Sequence, residues 1–440
     1  MSEGILGMAS KRRLAYGSAA AFVIFFGSAG LAFLTQLLLA RVLGPESFGI
    51  YAYVFAWISV LAYGAALGFQ VALLRFVSVY ESDSAWTLLR GVIQYSERRV
   101  GIVGLLVIMI GVIGIMIRGE TIVPELSTTF IIGFLVVPVW AFLWMRTATV
   151  RAFGGVVTAL APERIMRDGL LIAFVLFASL GLKWTLDASI VMTATLASTT
   201  LAFCTAHVAM RKLRPAMIET AEVEYDARAW RQAALPLLVV GAMDAVFNRT
   251  GVLLLGWVGE TRNAGIYGLA FSIAFLAVLP RTAVDTLFAP AIARLYAGRQ
   301  LAELQALIIR AASWSLCAAA SIALVLAVMA EYLLSWFGPE YIAGANALRI
   351  LLVGQVISSS LGSQTQVLAM TGHERNSAAI LALSAAANVT ISIFMISQFG
   401  LTGAAWGTVI SLVLWNLAMA VFIHRRLGLW PGIYGIIRSQ

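Results

Sequence analysis

Charge is scarce in this chain: 12% of its 440 residues are Asp, Glu, Lys or Arg, against 61% apolar, and mean hydropathy is +0.92. An ordinary soluble domain carries roughly 25% charged residues, so that class is excluded. Cysteine is nearly missing as well. Cys204 and Cys317 each fall inside an apolar run, which reads as two small core residues and not as a disulfide framework. The three histidines, His207, His373 and His424, stand at the ends of apolar runs with no thiol or carboxylate at ligand spacing, so neither a metal site nor a cofactor is expected. Net charge is +9, yet the basic residues are scattered through short loops, which argues against a nucleic-acid partner. Long external loops are missing too, and with them the polar surface an enzyme acting outside the membrane would need. The chain reads as not an enzyme.

What is present is a succession of apolar runs, and a crossing helix needs about 20 mostly apolar residues. The sequence therefore predicts an all-α membrane protein with about 12 transmembrane helices in two six-helix bundles. The expected divisions are a lead over 1–16, a first bundle over 17–210, a linker over 211–232, a second bundle over 233–423 and a tail over 424–440. The first apolar run is too long for a signal peptide and lacks a small-residue cleavage site. Duplication is visible in a fifteen-residue echo: Leu37 to Tyr51 and Leu253 to Tyr267, offset by 216, share seven identities and both end in Gly-Ile-Tyr. Of the 30 Lys and Arg residues, Arg249 and Arg281 fall inside spans, and Arg41, Arg118, Lys183, Arg262 and Arg349 on one side. The remaining 23 fall on the other side, which the positive-inside rule makes cytoplasmic, together with both termini. Two cytoplasmic segments, one with Trp86, Leu89 and Ile93 on a shared face and one with Leu301, Leu304 and Ile308, read as helices lying on the membrane.

Charge inside a span is costly and asks for a reason. Span seven, entering near Ala233, carries Asp244, Asn248 and Arg249; span eight, leaving near Ile292, carries Arg281 and Asp285. At about 1.5 Å per residue, Asp244 and Arg281 both lie roughly 17 Å from the cytoplasmic side, which predicts an intramembrane pair. Asp285, one turn from Arg281, is the rival partner, and either aspartate is a candidate for ion coupling. Arg249 has no carboxylate at its own depth and is the better candidate for an anion. A purely structural ion pair is the competing reading. In span ten, Gln355, Ser358, Ser359, Gly362, Ser363 and Gln366 fall on one helical face; in span eleven, Ser384, Asn388 and Ser392 do the same. Such stripes either line a polar cavity or bind helices to one another.

Four segments carry a family resemblance: Ala40-Arg-Val-Leu-Gly-Pro-Glu-Ser-Phe-Gly-Ile-Tyr51, Leu253 to Tyr267, Thr371-Gly-His-Glu-Arg375 and Gly400-Leu-Thr-Gly-Ala-Ala405. The chain resembles polysaccharide-unit (O-antigen and exopolysaccharide) flippases of the multidrug/oligosaccharidyl-lipid/polysaccharide (MOP) exporter superfamily. The resemblance implies a MATE-like fold in a bacterial inner membrane. It also implies a lipid-linked oligosaccharide substrate flipped between leaflets, contact with membrane lipids, and a polysaccharide polymerase as a candidate partner. Arg249 and Arg281 would then suit the pyrophosphate head group, and Gln355, Ser359, Gln366 and Asn388 the sugar. Where the resemblance leads one to expect an acidic residue just before the Leu-Leu-Gly turn, this chain has Thr250-Gly251. The alternatives are a MATE-like drug/cation antiporter, a membrane scaffold and a glycan-modifying enzyme.

Overall fold

The computed structural model describes residues 2–118 and 123–435; residues 1, 119–122 and 436–440, which include the ends of the expected lead and tail, lie outside the described residues. The elements are α1 (Ser2–Ala66), α2 (Phe69–Ser82), α3 (Trp86–Arg118), α4 (Pro124–Ala152), α5 (Val156–Ala161), α6 (Arg167–Leu176), α7 (Ala188–Leu213) and α8 (Met217–Thr220). They continue as α9 (Ala227–Trp257), α10 (Thr261–Ala274), α11 (Leu279–Ala297), α12 (Leu301–Val328), α13 (Ala330–Ser335), α14 (Ala345–Ser360), α15 (Gln364–Met370) and α16 (Glu374–Leu427). No strand occurs among the described residues, so the all-α expectation holds.

Nine stretches among the described residues are long and apolar enough to cross a bilayer. Two of them turn within: Gly27–Ser82 at Gly44 (φ 69) and Glu374–Leu427 at Gly400 (φ 54). The run 156–181, helical through α5 and α6 with π turns at Pro162–Met166 and Phe177–Gly181, adds a further candidate. This is consistent with about twelve crossings. Large apolar side chains point outward along these helices, as on α3, where Ile110, Met116 and Ile117 are 68%, 74% and 80% exposed. A continuous apolar outer surface is what a hydrocarbon solvent selects.

Two expectations are corrected. The segments beginning at Trp86 and Leu301 do not lie on the surface as separate helices; they are the first turns of α3 and α12, which run on unbroken. No Gly or Pro separates the amphipathic turns from the apolar ones, and Leu89 and Leu304 are fully buried, so the helix has reason to continue. Cys204 and Cys317 are free but exposed, not core residues; hydrocarbon takes a thiol on its outer surface as readily as the interior does.

The chain divides into two compact units, one comprising residues 1–43 and 57–242 and the other residues 44–56 and 243–440. These are not the two sequence halves. In the first unit the start of α9 is an integral part: Trp230 is fully buried, donates to Tyr80 Oη at 3.0 Å and lies 5.5 Å from the Tyr95 ring. In the second unit the segment 44–56 packs on α9 and α10, and here the two copies of the Gly-Ile-Tyr echo meet. A Cβ on Gly265 would lie 2.7 Å from Gly49 Cα, and one on Gly49 would lie 2.0 Å from Thr261 O. Glycine permits this backbone approach, as small residues do between membrane helices generally.

Candidate functional site

All eight residues marked in the sequence as site candidates fall in the second unit. Arg281 lies in the first turn of α11, and its Nη1 donates to Ser358 Oγ of α14 at 2.7 Å. Ser358 is buried and also accepts from Asn416 Nδ2 of α16 at 3.2 Å, while Asn416 donates again to Leu412 O at 2.7 Å. Three helices are thus tied at one arginine. Asp285, one turn along α11, is the carboxylate within electrostatic range of that guanidinium. Its Oδ1 is buried and has no hydrogen-bond partner among the described residues.

The expected contact between Asp244 and Arg281 is not formed: no ion pair among the described residues joins them, and Arg281 instead faces Ser358 and Asp285. Equal depth along two helices does not fix the direction in which each side chain points, whereas four residues along one helix does. Asp244 is exposed on α9, with Asn248 one turn on, whose Nδ2 donates to Asp244 O at 2.9 Å. Arg249 is half-buried, with Cζ 5.7 Å from the centroid of the Phe55 ring, a cation–π geometry.

The polar stripe of span ten is divided, and this too is a correction. α14 ends at Ser360, Gly362 adopts φ 72, and α15 starts at Gln364, so Gln355 and Ser359 stand on one helix and Gln366 on the next. Glycine holds this left-handed backbone without a steric cost, and a Cβ added to it there would meet Ala312 Cβ at 3.1 Å. The break leaves polar atoms unmet. Ser363 Oγ and both amide atoms of Gln364 are buried without partners among the described residues, and Gln364 is 4% exposed. On α16, Asn388 is fully buried and accepts from Ser392 Oγ at 3.2 Å, while its Nδ2 stays unpartnered among the described residues. Buried polar atoms of this kind are rare and expensive in a low dielectric.

Sequence reading missed Asn416 and Gln364. Asn416 is a lone polar residue in an apolar run and had no periodic partner to reveal it. Gln364 lay outside the stripe because the stripe was drawn on an unbroken helix. Among the described residues no group of three or more His, Cys, Asp or Glu side chains could hold a metal ion.

Residues 14–296 match the family described as "Polysaccharide biosynthesis protein". No curated protein matches the sequence. The fold is similar to that of an inward-facing multidrug resistance MATE family transporter of the MOP superfamily, with TM-score 0.77, 14% identity, and coverage of 96% of this chain and 100% of that one. It is also similar to the lipid II flippase MurJ in an inward closed conformation, with TM-score 0.66, 12% identity, and coverage of 92% and 87%. A MOP superfamily transporter from Pyrococcus furiosus, described by a reversed polarity of its binding pocket, matches with TM-score 0.59, 14% identity, and coverage of 94% and 95%. Identities this low establish a shared MOP fold.

Proposed function

Because the chain belongs to the polysaccharide biosynthesis protein family, we propose that it flips a polyprenyl-pyrophosphate-linked oligosaccharide from the inner to the outer leaflet by alternating access, for cell-surface polysaccharide assembly. The observation that carries this reading is the second unit's combination of intramembrane arginines with buried, unmet hydrogen-bonding groups. Arg281 is tied to Ser358, while Ser363, Gln364 and Asn388 leave polar atoms without partners among the described residues. A pyrophosphate needs cationic partners and a sugar needs donors and acceptors, while a polyprenyl tail can remain in lipid. In this reading Arg249 and Arg281 receive the head group, and Gln355, Ser359, Gln366 and Asn388 the sugar. Asp244 and Asp285 are the candidates for ion coupling. The membrane is the bacterial inner membrane with both termini cytoplasmic, and a polysaccharide polymerase would take the flipped product.

Reconstitution tests this. Purified protein in liposomes with a fluorescent lipid-linked oligosaccharide should move it between leaflets, and Arg249→Ala with Arg281→Gln should lower the rate without lowering membrane insertion. Movement of an organic cation, with none of the lipid-linked sugar, would instead support a drug/cation antiporter. Absence of any transport by well-folded protein would support a scaffold.

A further inference from the structure

The first unit holds a cavity of about 380 Å³ that the transport reading does not use. Its walls come from the first turns of α3, the end of α4, the end of α7 and the segment that follows α7. Four arginines line it, Arg90, Arg146, Arg211 and Arg214, against two carboxylates, Glu97 and Glu219. Both carboxylates are already engaged, Glu97 by Arg146 Nη1 at 2.5 Å and Glu219 by Arg214. Arg90 spends its Nη1 on two main-chain oxygens, Glu219 O at 2.8 Å and Ala221 O at 2.6 Å, which leaves its charge uncompensated. Arg211 has no acceptor among the described residues. The cavity therefore carries two guanidinium charges in excess.

Arg146 makes this more than a basic surface. It is 7% exposed, and its Nε is buried with no acceptor among the described residues; His207 Nδ1, on the same wall, is likewise buried and unpartnered. A buried guanidinium that is only partly satisfied is costly, and an anion with several acceptor oxygens removes that cost. The volume lies within the range of small-molecule sites, about 300–1,000 Å³.

We propose that this cavity binds a phosphate-bearing anion and that the bound anion pins the segment 211–221 to α4 within the first unit. A dianionic phosphate matches the excess of two charges, and guanidinium forks match its oxygens. The anion bridges Arg146 on α4 to Arg211 and Arg214, so occupancy stiffens the connection that leads into α9. This site belongs wholly to the first unit, shares no residue with the proposed head-group site of the second, and stands or falls independently of it.

The test uses full-length protein, wild type and Arg211→Gln, with thermal unfolding as the readout. Arg211 is exposed and engages no carboxylate, so Arg211→Gln folds as the parent does. Arg146→Gln, which also breaks the pair with Glu97, is the second variant. In detergent, inorganic pyrophosphate should raise the unfolding temperature of wild type, and Arg211→Gln should raise the half-saturating concentration about tenfold, the effect of one lost charge-assisted contact near 1.4 kcal/mol. If the anion is instead a lipid head group, free pyrophosphate has no effect. Nanodiscs of phosphatidylcholine with added phosphatidic acid should then stabilise wild type, but not Arg211→Gln, relative to phosphatidylcholine alone. Equal responses of wild type and both variants, or no response to either anion, would overturn the proposal.

Discussion

A single guanidinium shows how this protein spends intramembrane charge. Arg281 is held by Ser358 Oγ at 2.7 Å and steadied by Asp285, so it is fixed in place yet not neutralised by a contact carboxylate. Ser358→Ala should remove that acceptor and destabilise by about 1–3 kcal/mol, the cost of a buried charged donor left unmet, measured as thermal unfolding in detergent. Since Asp244 does not contact Arg281, the stability effects of Asp244→Asn and Arg281→Gln should add to within about 0.5 kcal/mol. Arg281→Gln with Asp285→Asn should not add, because those two groups feel each other's charge. Reversal of that pattern in a double-mutant cycle would restore the Asp244 pairing. For Arg249 the readout is transport. Arg249→Ala should weaken movement of the lipid-linked sugar, and Arg249→Lys should rescue it only in part because the planar fork is lost.

At the scale of elements, two glycines decide geometry. Gly362 sits at φ 72 between α14 and α15, and Gly362→Ala combines a disfavoured backbone with a 3.1 Å contact to Ala312 Cβ. A loss of about 1–3 kcal/mol is expected. Gly114, helical on α3 with open space around its Cα, supplies the control: Gly114→Ala should be neutral or stabilising. Gly265→Ala should be worse than either, since its Cβ meets the Gly49 backbone, which cannot rotate out of the way as a side chain can. The apolar runs and the Gly-Ile-Tyr echo were legible in the sequence because hydrocarbon demands length and composition that nothing else in a chain mimics. The break at Gly362 was not legible. A Gly inside a polar stripe fits a packing face as well as a turn, and only its backbone, at φ 72, tells them apart. The pairing of Arg281 with Ser358 escaped for a related reason: sequence gives depth along a helix, whereas partner choice depends on rotation about it.

At the scale of the whole chain, the compact units have bounds of their own. The segment 44–56 belongs with 243–440, and 227–242 with 57–226. Trp230 anchors the second of these segments, and Trp230→Ala should cost about 3–5 kcal/mol through lost packing on Tyr95 and a lost bond to Tyr80. Sidedness is the remaining property of the whole chain, and the basic-residue bias makes it testable. Single cysteines at Glu222, Arg262 and Glu374, introduced after replacing Cys204 and Cys317, would be probed with a membrane-impermeant maleimide in spheroplasts. Arg262→Cys should label in intact spheroplasts, and Glu222→Cys and Glu374→Cys only after permeabilisation. The third position carries the weight. Between 222 and 374 lie α9, the α10–α11 run, α12 and the broken run 339–370, four crossings if the last traverses the bilayer despite Gly362. A run that dipped in and returned would place Glu374 on the outer side together with Arg349. It would also turn α16 and the basic residues at its end, His424, Arg425 and Arg426, against the positive-inside rule. Labelling of Glu374→Cys in intact spheroplasts would therefore remove one crossing from the second unit and, with it, the expectation that both termini share a side.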